Sequence, residues 1–182
     1  MKFKELYNEI VLINNILTDF GTIIYHLKNS IVWDDSIRSR KTASFGIPYN
    51  YSNINYVQND MPDFFNELIN VVVLKNGFTP NNCLINYYYE NSSKMGFHSD
   101  QTDILFDNTG IAIFSFGFSR VLRFKNKSNP KLIIDVLLEN NSYFYMTQKV
   151  QNHWLHSILP EENNDFQNER FSLTFRKIIF VK

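Results

Sequence analysis

Apolar residues fall at helical spacing in two short stretches of this chain and at strand spacing almost everywhere else. Phe20, Ile23, Ile24, Leu27 and Ile31 recur every three or four residues, so Asp19 to Ser30 predicts a helix, with Thr18 or Asp19 as its N-cap. A second helix is predicted from Pro62 to about Asn76. Pro62 suits its first turn, Phe65, Leu68, Ile69 and Val72 form its apolar stripe, and Gly77 is a natural stop. Beyond Thr79 everything reads as strand: Asn82 to Tyr89, Met95 to Asp100, Gly110 to Gly117, Arg120 to Lys125, Leu132 to Leu137, Ser142 to Thr147, Trp154 to Ile158 and Arg170 to Phe180. Short β-rich runs punctuated by Asn, Asp, Ser and Gly predict a mainly β fold of the sandwich or barrel kind with flanking helices. A jelly roll supported by two outer helices is the economical form. Such a fold by itself implies no chemistry.

Composition narrows the setting. A chain of 182 residues, 44% hydrophobic and 16% aromatic, fits one domain over residues 1–182 with a sizeable core. Eighteen basic and eighteen acidic residues cancel, so no global positive field draws the chain to nucleic acid or to an acidic membrane, and any such contact must be local. The single Cys83 excludes an internal disulfide framework and a thiolate zinc cluster. The N-terminal MKFKELYNEI lacks a long apolar segment and no later run approaches membrane-spanning length, which predicts a soluble, cytoplasmic protein. No repeat, linker or charge block marks a boundary, and a monomer is expected.

Candidate chemistry begins at GFHSD. On a strand, His98 and Asp100 would leave the same face and converge on one object such as a metal ion. An isolated HxD is more often a surface His beside a turn. Downstream, QNHWLHSILP offers His153 and His156 as a third ligand. Two histidines and a carboxylate suit non-haem Fe(II) with open positions, and zinc can use the same set. At the C-terminus, Arg170-Phe171-Ser172-Leu173-Thr174-Phe175-Arg176 alternates cleanly, so Arg170, Ser172, Thr174 and Arg176 face one way while Phe171, Leu173 and Phe175 enter the core. The stretch spans roughly 20 Å, and two inward arginines would be costly without an anion, so they can clasp a short dicarboxylate. A solvated edge strand is the equal alternative.

Taken in order, RKTASFG (Arg40 to Gly46), NYY (Asn86 to Tyr88), HSD (His98 to Asp100), HWLHS (His153 to Ser157) and RFSLTFR (Arg170 to Arg176) resemble the AlkB family of Fe(II) and 2-oxoglutarate-dependent dioxygenases over most of the chain. The resemblance implies a double-stranded β-helix with helices packed outside. It implies iron held by His98, Asp100 and His156, with His153 left aside, and 2-oxoglutarate held by Arg170 and Arg176 with help from Asn86, Tyr88 and Ser172. The implied reaction consumes O2, converts 2-oxoglutarate to succinate and carbon dioxide, and hydroxylates a C–H bond. On an N-methyl group the hydroxylated product falls apart to formaldehyde, so the implied function is oxidative demethylation of alkylated nucleic acid bases.

For substrate, Tyr49, Tyr51 and Ser52 correspond to a family segment near the base pocket, and Tyr51 is placed to stack on a flipped base. Ordinary strand aromatics are an equal reading. Arg38, Arg40 and Lys41 form a basic cluster suited to phosphates, or a solvated loop. One departure stands out: where repair members often carry an acidic residue shortly after HxD, this chain has Thr102, with Asp103 beside it. A hydroxylase of a protein or small molecule is therefore the second reading. A metal-binding barrel without turnover is the third, and it has no use for paired arginines.

Overall fold

The computed structural model describes residues 3–48, 58–161 and 169–179. Among the described residues, ten strands form two antiparallel sheets that face each other. In chain order they are β1 (Ile10–Asn14), β2 (Lys41–Gly46), β3 (Asn82–Tyr88), β4 (Met95–His98), β5 (Gly110–Gly117), β6 (Arg120–Asn126), β7 (Ile133–Leu138), β8 (Ser142–Thr147), β9 (Trp154–Ile158) and β10 (Arg170–Arg176). The larger sheet runs β1-β8-β5-β10-β3-β2 and the smaller β4-β9-β6-β7. The helices are α1 (Phe3–Tyr7), α2 (Gly21–Asn29), α3 (Asn66–Asn76) and α4 (Gln148–His153). None of them is long and apolar enough to cross a membrane. The jelly roll expected from the strand pattern is the fold observed.

Side-chain period on the strands sorts the interior into two layers. Leu84, Ile111, Ile113, Leu122, Phe124, Ile134, Phe144 and Met146 fill the space between the sheets. Their neighbours one residue along, Cys83, Ile85, Ala112, Phe114, Phe116, Tyr143, Phe171, Leu173 and Phe175, pack on the opposite face of the larger sheet against Ile23 and Leu27 of α2 and Leu68 and Val72 of α3. Strands β3, β5 and β10 are thus covered on both faces. This explains why GIAIFSFG is apolar on both faces, apart from Ser115, instead of alternating. The smaller sheet has one face in solvent, and β6 and β7 alternate buried and partly exposed positions as their sequences do.

Both predicted helices are present with shifted starts. Asp19 does not cap through a later amide of the first turn; its Oδ1 accepts from Gly21 N at 2.8 Å as the chain enters α2. Pro62 precedes a 3-10 turn (Asp63–Phe65) that leads into α3, and Gly77 ends α3 in the left-handed conformation at φ 72°. Three expectations are corrected. The region beyond Thr79 is not all strand, because α4 lies between β8 and β9. β4 stops at His98, so Asp100 is not on the strand with it. β10 lies between β5 and β3 in the middle of the sheet, which removes the edge-strand alternative for its arginines.

Candidate active site

Antiparallel pairing sets the first two members of the site. β4 pairs with β9 so that His98 sits directly opposite His156, with ring centroids 4.3 Å apart. Asp100 comes from the segment just after β4 and completes the group: its Oδ1 lies 3.6 Å from His98 Nε2 and 4.0 Å from His156 Nε2. One ligand atom from each of the three falls within 4.8 Å of the others, close enough to share one ion. His98 is the more open member, with a side chain 13% exposed against 6% for the other two, so it marks the mouth. His153, at the end of α4, is exposed and does not join them.

The protonation pattern suits a cation. His98 Nδ1 lies 2.9 Å from the Gly96 carbonyl, which can only accept, so Nδ1 is the donor there and Nε2 is the nitrogen turned to Asp100. His156 is held at a pKa of about 3, chiefly by burial and by the neighbouring His98, so it is neutral at physiological pH and needs no deprotonation to act as a ligand. Burial pushes the Asp100 carboxyl up, but Arg176 together with His156 and His98 outweighs it and brings the pKa to about 2. Asp100 Oδ2 accepts from Arg176 Nη2 at 2.8 Å, which leaves Oδ1 directed at the imidazoles. Oδ1 and His98 Nε2 face each other at 3.6 Å, with His156 Nε2 4.0 Å from the same oxygen.

From this centre a cavity runs between the sheets along the inward face of β10. Arg176, Thr174, Ser172 and Arg170 line it in succession, with Asn86 and Tyr88 from the adjacent β3. Arg176 stands at the metal end and Arg170 at the far end. Arg170 is fully buried; its Nε donates to Ser115 Oγ at 2.8 Å, while Nη1 and Nη2 have no hydrogen-bond partner among the described residues. Its guanidinium lies 5.3 Å from the Tyr88 ring centroid. Burial, with Arg120 nearby, outweighs the opposing effect of the Tyr88 hydroxyl and brings the Arg170 pKa down to about 10. Apolar walls from Leu84, Met95, Ile113, Leu122, Leu138 and Ile158 complete the cavity, and among the described residues Asp100 is the only acid that lines it. The residues therefore fit Fe(II) at one end and a carboxylate at the other.

Two expectations change in detail. Arg40, read as a phosphate contact, is half-buried and points inward, its Nε donating to Asn86 Oδ1 at 2.7 Å. Asn86 thus turns its amide NH2 group elsewhere. Arg176, expected as a cosubstrate contact, faces the cavity and also donates to Asp100. Tyr49, Tyr51 and Ser52 lie outside the described residues. Thr102 sits in a turn after Asp100, its carbonyl accepting from Leu105 N at 3.1 Å.

Sequence reasoning missed Arg120, Gln151 and Lys127. Arg120 is fully buried and donates to the carbonyls of Glu90, Ser93 and Leu159, tying the β3–β4 connection to the end of β9. A signal for it existed: Arg120 occupies the same inward phase of β6 as Leu122 and Phe124. Gln151 and Lys127 carry no such mark.

Comparison with known proteins agrees with this geometry. Residues 24–176 match the 2OG-Fe(II) oxygenase superfamily. DNA oxidative demethylase ALKBH2 of Mus musculus is 29% identical over 153 residues, 79% of this chain and 63% of that protein. Alpha-ketoglutarate-dependent dioxygenase alkB homolog 3 of Rattus norvegicus is 28% identical over 150 residues, 76% of this chain and 50% of that protein. The chain thus spans between half and two thirds of the length of these relatives. The solved structure of OsALKBH1 superposes with a TM-score of 0.69 at 17% identity, covering 93% of this chain and 98% of that one, which shows a shared fold. With its ordered motifs, its His-Asp-His centre and its paired arginines inside a jelly roll, the chain belongs to the 2OG-Fe(II) oxygenase superfamily and, within it, to the AlkB family.

Proposed function

We propose that this chain is a single-domain, monomeric and intracellular Fe(II)- and 2-oxoglutarate-dependent dioxygenase that oxidatively demethylates alkylated bases of nucleic acid. The observation that carries the reading is the joint presence, in one cavity, of the His98-Asp100-His156 group and the buried Arg170 whose Nη atoms face no partner among the described residues. A metal site alone would suit many roles, whereas a metal site with an anion receptor in the same cavity between the sheets suits a dicarboxylate cosubstrate. Iron and 2-oxoglutarate together supply oxidation of a C–H bond by O2, the cosubstrate leaving as succinate and carbon dioxide.

The protein's part is binding and shielding. His98, Asp100 and His156 hold the metal from one side. Arg170, beside Ser115 and above Tyr88, would receive a carboxylate of the cosubstrate; Asn86, Tyr88 and Ser172 line the cavity beside it, and Arg176 balances the charge of the Asp100 carboxylate. The apolar walls keep water from the reacting centre. The substrate base comes from the His98 side, the more open edge of the group. ALKBH2 is named a DNA oxidative demethylase, and this supports a nucleic acid substrate here.

The test is anaerobic loading with Fe(II) and 2-oxoglutarate, followed by aerobic incubation with methylated single- and double-stranded DNA and RNA oligonucleotides. Succinate, formaldehyde and the loss of one methyl mass are expected in equal amounts. Succinate without loss of the methyl group would favour a protein or small-molecule substrate, and no succinate at all would overturn the enzyme class.

A further inference from the structure

Asp100 is the one member of the His-Asp-His group that no strand holds. His98 and His156 face each other on paired strands, but β4 has ended before Asp100, so no sheet hydrogen bond fixes its backbone. Its amide is nevertheless buried and satisfied, donating to Gln151 Oε1 at 2.9 Å. Gln151 is 3% exposed on α4, and its Nε2 donates to Met146 Sδ at 3.2 Å on β8, which fixes the orientation of the side-chain amide. The Gln151 carbonyl accepts from Lys127 Nζ at 2.7 Å, and the same ammonium donates to Ser99 Oγ at 3.2 Å. Lys127 N in turn donates to the carbonyl of His153 at the end of α4. Residues 99 and 100 are therefore pinned to α4 at two points, one through the Gln151 side chain and one through Lys127.

We propose that Gln151 is a positioning residue that sets the aim of the Asp100 carboxylate at the metal. The proposal rests on the reading of His98, Asp100 and His156 as the metal ligands. The Oε1 acceptor holds the Asp100 backbone while Arg176 holds Oδ2, so the two contacts together leave Oδ1 as the oxygen that faces the imidazoles. Groups that orient a metal ligand commonly influence affinity as much as some ligands do. A six-residue helix between β8 and β9, with little apolar periodicity of its own, then has a reason to exist: it carries this acceptor to the loop after β4.

The test uses the full chain and Co(II) alone, followed by visible absorption and calorimetry, with the melting temperature of each metal-free variant measured in parallel. Gln151→Leu keeps the side-chain volume and removes the acceptor; Gln151→Glu keeps an acceptor at the same reach. The expected result is a loss of Co(II) affinity of roughly 10-fold or more in Gln151→Leu with a changed cobalt spectrum, and recovery to within about threefold of wild type in Gln151→Glu. Wild-type Co(II) affinity in Gln151→Leu, with or without a lowered melting temperature, would overturn the proposal by leaving Gln151 a purely structural role. Failure of Gln151→Glu to recover affinity would overturn it as well. A wild-type chain that does not bind Co(II) would remove the metal-site reading itself, and the proposal with it.

Discussion

Arg176 and Arg170 look equivalent in RFSLTFR, yet their surroundings give them different work. Arg176 donates to Asp100 Oδ2 at 2.8 Å, while Arg170 is held by Ser115 through Nε and its Nη1 and Nη2 have no hydrogen-bond partner among the described residues. Arg170→Ala is therefore expected to weaken 2-oxoglutarate binding by about 10- to 150-fold, the equivalent of a charge-assisted hydrogen bond of roughly 1.5–3 kcal/mol, with Co(II) affinity unchanged. Arg176→Ala is expected to weaken both, because the Asp100 carboxylate loses its partner and its preferred orientation. Paired titrations of cosubstrate and Co(II) check this, and equal behaviour of the two variants would refute the division of labour. The residue types and their alternation were legible in the sequence. The tie between Arg176 and Asp100 was not, since the two are 76 positions apart and meet only when the sheets face each other.

At the level of elements, β10 illustrates how a central strand depends on its neighbours' turns. Gly117, at the end of β5, has φ 91°, and a Cβ built there would come within 2.4 Å of the Glu169 carbonyl oxygen, one residue before Arg170. The same carbonyl accepts from Phe118 N at 2.8 Å. Gly117→Ala combines a left-handed backbone with a backbone clash, so a loss of at least about 1–3 kcal/mol in urea unfolding is expected. A raised 2-oxoglutarate requirement should accompany it, since the displaced segment leads directly into Arg170. Unchanged stability and cosubstrate binding would show that the start of β10 adjusts freely. The sequence also left several elements unseen. KTASFG carries too little β-branched or alternating character to announce β2, whose pairing with β3 supplies its stability. IVLIN, a short apolar run, became an edge strand because β8 was available to pair with it.

Across the whole molecule, the candidate site joins the two sheets: His98 and His156 stand on the smaller sheet, and Arg170 and Arg176 belong to the larger. Ligands that bind only this arrangement should raise the melting temperature. At concentrations near 100 times Kd, one bound ligand contributes about 2.7 kcal/mol, which for a chain of this size corresponds to a shift of roughly 5–10 °C. Co(II) alone should produce one shift in the wild type, and 2-oxoglutarate a further one that Arg170→Ala removes. Absence of any Co(II)-dependent shift would argue against a site spanning the sheets. The amino-acid sequence alone determined the elements with strong periodicity, the period-two polar face of β10 and the short list of ligand types, because these depend on local spacing and on what each side chain can do. Only the tertiary structure decided which histidine faces Asp100, that β10 is central, that Arg40 turns inward to Asn86, and that Gln151 and Lys127 hold the segment after β4. Each of these depends on strand register or on contacts between distant segments, and local propensity carries no record of either.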